Sequence, residues 1–291
     1  MSFVKKSRCC VSLALLLTLC FGIMSGCVKE AGEEDTRPVV AVSIVPEETF
    51  VKKVCGDLVR VVVMVPPGYS PENYEPSPME MELFSGADLY FSIGVQTEQT
   101  SILPSLAPQT RVVSLDKAAA EVYDELQVGS GRDPHVWLSP KRAIVMVKTI
   151  AREMSALDSE NAESYEANAE SYIAELEALD KEIKALLENV KDRKFVVFHP
   201  AFGYFADDYG LQMFALEEDG KEATAGHLQK MIDLAKEENI KVIFYQAETD
   251  SSQSRAYAEE IGGKAAELSP LSGDYVNNLK TMAATIAEAM K

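Results

Sequence analysis

Two series of short apolar runs alternate with helical stretches, separated by one long amphipathic segment. This pattern restricts the chain to an α/β architecture. In the first series Val39–Ile44, Val59–Val65, Leu89–Ile93 and Arg111–Leu115 read as strands. Val39–Ile44 is a β-branched run broken only by Ala41 and Ser43, and Val59–Val65 reads as a second buried strand, as in parallel sheets covered on both faces. Helical patterns fall between the strands at Pro46–Val54 and Met79–Gly86. Pro140–Ser155 reads as a helix, with Ser139 as N-cap and Pro140 at its first position. Beyond it Ala162, Tyr165, Ala169, Tyr172, Leu176, Leu179, Ile183 and Leu186 recur at steps of three and four. They predict a helix over Ser159–Val190, about 45 Å long and able to span two lobes. The pattern then restarts, with strands at Lys194–Phe198, Leu211–Leu216, Lys241–Gln246 and Lys264–Leu268. Helices are predicted at Ala201–Tyr209, Ala225–Glu238, Ser251–Ile261 and Tyr275–Met290. The expected organisation is two pseudo-symmetric (β/α) lobes with parallel sheets, 39–157 and 193–291, joined by a backbone helix over 158–192. Ligands of such folds bind in the cleft at the carboxyl ends of the strands.

The first residues stand apart from this pattern. Lys5, Lys6 and Arg8 precede an apolar run from Cys10 to Met24, followed by Ser25-Gly26-Cys27. That order predicts a secretory signal peptide over 1–26, with an apolar run short for a transmembrane helix. Small residues directly before Cys27 predict lipoprotein processing, with Cys27 as the lipidated N-terminus. The acidic, Gly- and Pro-containing stretch 27–38 is then a tether. Both features place the domain outside the cytoplasmic membrane, anchored to its outer face. After processing only Cys55 is left as a free thiol, in an apolar helical run, so it reads as a buried inert residue. The net charge of −18 repels nucleic acid and anionic lipid and is compatible with collecting cations.

Histidine is scarce, with three residues in the chain. His135 lies in Asp133-Pro134-His135-Val136-Trp137-Leu138-Ser139-Pro140, just before a helix of the first half. His199 lies at the carboxyl end of the strand ending in Phe198. Each half therefore offers one imidazole toward the expected cleft, and neutral imidazole is the commonest transition-metal ligand. Pro71-Glu72-Asn73-Tyr74-Glu75-Pro76 follows the second strand. There Glu72 is a candidate oxygen ligand, while Glu75 reads as a cap for the next helix. His227 reads as a surface or capping residue.

These segments, in this order, resemble the metal-binding lipoproteins of zinc and manganese ABC importers, over nearly the whole span from Val39 to Lys291. Asp133–Pro140 and Phe198–Phe205, continuing through Tyr209-Gly210-Leu211, are very close to two ligand blocks of that family. Gly68–Pro76, Gly220-Lys221-Glu222 and Val242–Gln246 are weaker landmarks. The resemblance implies a metal between two lobes with little hinge motion, an importer permease as partner, and no enzymatic activity. It maps family ligands onto His135 and His199. Family members usually have His where this chain has Glu72, and often Asp where it has Ser269. The ligand set expected is thus His135, His199 and Glu72, with Glu248, Asp250, Asp274 and Ser269 as lesser candidates for a fourth position. More oxygen and less nitrogen tilts the cargo toward manganese or ferrous iron, although zinc accepts carboxylates. The expected protein is a monomer without nucleic acid partners. Two competing readings are a same-fold binder of a non-metal or chelated solute and a metal-dependent hydrolase. The chain has neither an H-E-x-x-H helix nor a G-x-S-x-G turn.

Overall fold

The computed structural model describes residues 35–129, 131–217, 223–248 and 252–290. The signal segment 1–26, Cys27, most of the tether, Asp250 and the block 220–222 lie outside the described residues. The described residues from Arg37 onward form one compact unit.

Its first sheet has strand order β2-β1-β3-β4, formed by β1 (Val39–Val42), β2 (Arg60–Val63), β3 (Leu89–Ser92) and β4 (Arg111–Ser114). All three pairings are parallel, with Val40 opposite both Val61 and Leu89. The second sheet has order β10-β9-β7-β8, from β7 (Lys194–Val197), β8 (Gln212–Ala215), β9 (Val242–Gln246) and β10 (Lys264–Leu268), again all parallel. The α/β reading of the sequence therefore holds. Two elements escaped it: the helix Leu115–Ala120, whose first residue was read as strand, and an antiparallel hairpin of β5 (Gln127–Val128) and β6 (Gly131–Arg132) directly before the His135 segment. Two-residue strands are too short to leave a period in sequence.

The first sheet's helices are α1 (Val45–Cys55), α2 (Pro78–Phe84) and α3 (Leu115–Ala120). Ser77 caps α2 by accepting from the Glu80 N–H at 3.3 Å, while the Glu80 carboxylate accepts from the Ser77 N–H at 2.7 Å. The expected cap, Glu75, is exposed and takes no part. The helix α4 (Pro140–Leu157) begins as predicted, with the Ser139 hydroxyl accepting from the Arg142 N–H at 3.2 Å.

The long segment resolves into a 3-10 turn and α5 (Ala162–Glu188). Its apolar stripe, Tyr165, Ala169, Tyr172, Leu176, Leu179, Ile183 and Leu187, is buried. Leu186, placed on this stripe by periodicity, is exposed, and Leu187 takes the buried position. The stripe joins residues of both sheets, among them Val42, Phe91, Phe195 and Phe244, into one continuous core. Helices α1 and α4 pack on α5, as does α9 (Tyr275–Ala289). The outer faces of the sheets carry two smaller clusters, the second covered by α7 (Ala225–Glu237) and α8 (Ser252–Glu260). Cys55 is buried, and burial pushes its thiol up to about 12, as expected of an inert core residue. No described helix is long and apolar enough to cross a membrane.

Candidate metal centre

Glu72 sits on the loop following β2. Thr97 holds this loop: its N–H and hydroxyl both donate to the Pro71 carbonyl, at 3.1 and 2.7 Å, and the hydroxyl also reaches the Tyr74 carbonyl at 3.0 Å. His135 emerges from the hairpin and precedes a short 3-10 turn, Val136–Leu138. The Asp133 carboxylate accepts from the His135 N–H at 2.9 Å and contacts its ring Nδ1 at 2.8 Å. His199 follows β7, and its Nδ1 lies 2.5 Å from an oxygen of Glu217, two residues beyond the end of β8. The Glu217 N–H donates to the Phe198 carbonyl at 3.0 Å, which fixes the two strand ends together.

Each imidazole is thus tethered through Nδ1 to its own carboxylate, leaving Nε2 to face the other ring. The two Nε2 atoms lie 3.3 Å apart. Glu72 Oε1 lies 2.7 Å from that of His199 and 3.6 Å from that of His135. Both rings are about 5% exposed, while the Glu72 side chain is one-third exposed and faces a cavity of about 810 Å3. With Nδ1–H donating to a carboxylate, each Nε2 presents a lone pair. Two lone pairs and a carboxylate oxygen then repel each other unless a cation lies among them. A proton can serve. Burial disfavours charge on His199, but Glu217 and Glu72 outweigh it and raise that imidazole to about 9. The same opposition raises His135, through Asp133 and Glu72. Burial alone raises Glu72, yet the two imidazoles hold its carboxyl well below the usual range.

A metal ion is the other cation that fits. Bonds of about 2.1 Å give ligand–ligand edges of about 3.4 Å in a tetrahedron and about 3.0 Å in an octahedron. Edges of 3.3 and 3.6 Å are already near that range, and only the 2.7 Å edge needs to open. Among the described residues this is the one group of three or more His, Cys, Asp or Glu side chains whose ligand atoms converge within 4.8 Å.

Of the candidates for a fourth position, Glu248 and Asp274 are not in this group. Glu248, following β9, has a carboxylate oxygen buried without a hydrogen-bond partner, and burial raises its carboxyl, but it is not part of the converging group. Asp274 sits at the start of α9 and accepts from the Asn277 side chain at 3.0 and 3.1 Å. Ser269 contributes its carbonyl to Asn278 at 2.7 Å. His227 lies in the first turn of α7, where its N–H donates to the Thr224 hydroxyl and its Nε2 contacts the Ala215 carbonyl at 3.0 Å. It is half-buried, and thus less of a surface residue than expected. The reading of the sequence missed Asp133 and Glu217 as imidazole partners. Asp133 left a signal, two residues before His135 in one block. Glu217 left none, because only strand pairing brings it to His199.

A family model described as zinc-uptake complex component A, periplasmic (ZnuA), matches residues 40–289. The high-affinity zinc uptake system protein ZnuA of Bacillus subtilis is 30% identical over 279 residues, covering 89% of this chain and 88% of the relative. The zinc-binding lipoprotein AdcA of Streptococcus pneumoniae is 30% identical over 275 residues. The match covers 88% of this chain but 54% of AdcA, so the chain spans about half the length of that relative. The crystal structure of a zinc-bound ZnuA deletion mutant superposes with a TM-score of 0.82 at 38% identity, covering 88% of this chain and 98% of the other. On the family match and the relative from Bacillus subtilis, the chain belongs to the ZnuA family of periplasmic zinc-uptake components.

Proposed function

We propose that this protein captures a divalent transition metal, zinc or manganese, outside the cytoplasmic membrane and passes it to the permease of an ABC importer. The observation that carries this is the meeting of three acceptor atoms, from Glu72, His135 and His199, at cation-ligand spacing. Membership of a family of solute-binding components, and not of enzymes, supports the transport role. In this reading the ion takes two imidazole nitrogens and one carboxylate oxygen, and its remaining positions face the cavity. The lobes 39–157 and 193–291 act as the two walls of the site, with 158–192 as the connecting spine. Ferrous iron has the same ligand preferences as a lesser cargo. Cys27 carries the lipid that holds this monomer to the membrane's outer face. The name of AdcA, a lipoprotein, and the small residues before Cys27 support that part.

Calorimetry on chelator-stripped protein tests the site. His135→Ala and His199→Ala each lose more than about 100-fold in zinc affinity, since even outer partners of metal ligands are worth 10–100-fold. Binding unchanged in both variants would rule the site out. Mass analysis of the N-terminal peptide from a membrane fraction tests the anchor, which Cys27→Ala abolishes.

A further inference from the structure

We infer that Asp208 is a positioning residue for ion capture: it clamps the segment bearing His135 to the helix that follows His199. The inference rests on the metal-capture reading. Asp208 ends α6 (Gly203–Asp208), the short helix just beyond His199, and its side chain is 1% exposed. Its carboxylate meets three groups from the start of α4, just beyond His135: Ser139 Oγ at 2.5 Å, Lys141 Nζ at 2.6 Å and Arg142 Nη1 at 2.7 Å. Arg142, 3% exposed, is itself held on several sides. Its second terminal nitrogen donates to the Asp124 carbonyl at 3.0 Å, and its guanidinium lies 4.5 Å from the centre of the Tyr204 ring, on α6.

The placement of these charges argues for a role between elements. A helix C-terminus disfavours an anion, and a helix N-terminus disfavours cations. Asp208 is at the end of α6, and Lys141 and Arg142 are in the first turn of α4. Each is therefore unfavourable on its own helix, and the pairing across the gap compensates. The other end of α6 is gripped as well. A Cβ built on Gly203 would lie 2.3 Å from an oxygen of Asp133, the carboxylate that tethers His135. Glycine lets α6 begin flush against that carboxylate, while Asp208 fixes its far end. The helix attached to one imidazole is thus registered at both ends on the segment carrying the other. Metal bonds tolerate errors of only about 0.2 Å. A slip of α6 along α4 alters the spacing of the two Nε2 atoms directly.

The test compares Asp208→Asn with wild type, His199→Ala and Met154→Ala, by zinc competition against a chromophoric chelator. Met154 is a fully buried core residue on α4, outside the clamp. Asp208→Asn is expected to lose about tenfold or more in zinc affinity and to change the visible spectrum of the cobalt-loaded protein. Met154→Ala lowers the melting temperature and changes neither. Arg142→Lys, which keeps the charge but loses the planar fork, gives a smaller loss of the same kind and serves if Asp208→Asn does not fold. Wild-type zinc affinity and cobalt spectrum in the clamp variants, with binding abolished in His199→Ala, would overturn the inference and leave the site intact. Wild-type binding in His199→Ala would instead overturn the metal reading on which it rests.

Discussion

At the scale of single residues the centre is a contest between protons and a metal ion for the same lone pairs. His199 is held at about 9 by Glu217 and Glu72, against an ordinary imidazole value of about 6.5. In the metal-free protein its proton therefore contributes stability that is full below about pH 6.5 and is lost as pH rises through about 9. Metal capture has the opposite sign, because a bound ion requires Nε2 unprotonated. Zinc affinity is thus expected to rise with pH up to about 9, with release of protons on binding. Calorimetry in two buffers of different ionisation enthalpy measures that release directly. A zinc affinity independent of pH between 6 and 9 would contradict it. Glu217→Gln removes one of the two anions that stabilise the protonated ring. It should shift the rise to lower pH while weakening zinc about tenfold at the plateau.

At the scale of elements, the strand ends of the first sheet bury acids as well as apolar residues. Glu47 on α1 and Glu98 after β3 are fully buried and meet around Ser43, which follows β1. Ser43 Oγ also contacts the Tyr90 hydroxyl at 2.7 Å. Burial raises both carboxyls. For Glu98 it outweighs hydrogen bonds from Ser43 and the N–H groups of Ile93 and Gly94, taking that group to about 7. Asp116, paired with Arg132 at 3.1 Å, adds to the negative charge nearby. The folded state thus keeps protons that the unfolded chain releases above about pH 4.5, so stability falls as pH rises past that value, for Glu98 up to about 7. Glu47→Gln relieves the repulsion without changing shape. Its melting temperature should exceed wild type by about 2–4 °C at pH 7.5, and the difference should vanish at pH 4.5. Thermal scans at the two values check this, and an equal gain at both would refute it.

For the molecule as a whole, α5 joins the two sheets through one continuous core. Leu176 is fully buried in the core that joins them. Leu176→Ala is expected to cost about 2–5 kcal/mol and to lower one shared transition. Chemical denaturation followed by near-ultraviolet circular dichroism and by the single tryptophan, Trp137, should trace the same curve. Two separated transitions would show that the sheets unfold independently. Trp137 reports from the junction itself: its indole N–H donates to the Pro270 carbonyl at 2.9 Å, and its own carbonyl accepts from the Tyr275 hydroxyl at 2.5 Å.

The sequence by itself determined the α/β class, the order of the strands of both main sheets along the chain, most of the helices and the spine. These follow from local periodicity, which each segment carries within its own residues. It also marked His135, His199 and Glu72 as candidates, because their blocks sit at strand and helix ends where a cleft would open. Only the tertiary structure decided that the three side chains converge and that Glu248 and Asp274 do not. It likewise decided that Glu217 tethers His199 and that Asp208 pins α6 to α4. These relations join residues far apart in the chain, as with His135 and His199. Distance along the sequence fixes what a residue can do within its element. Which distant side chain it meets is set by how helices and sheets pack across the core.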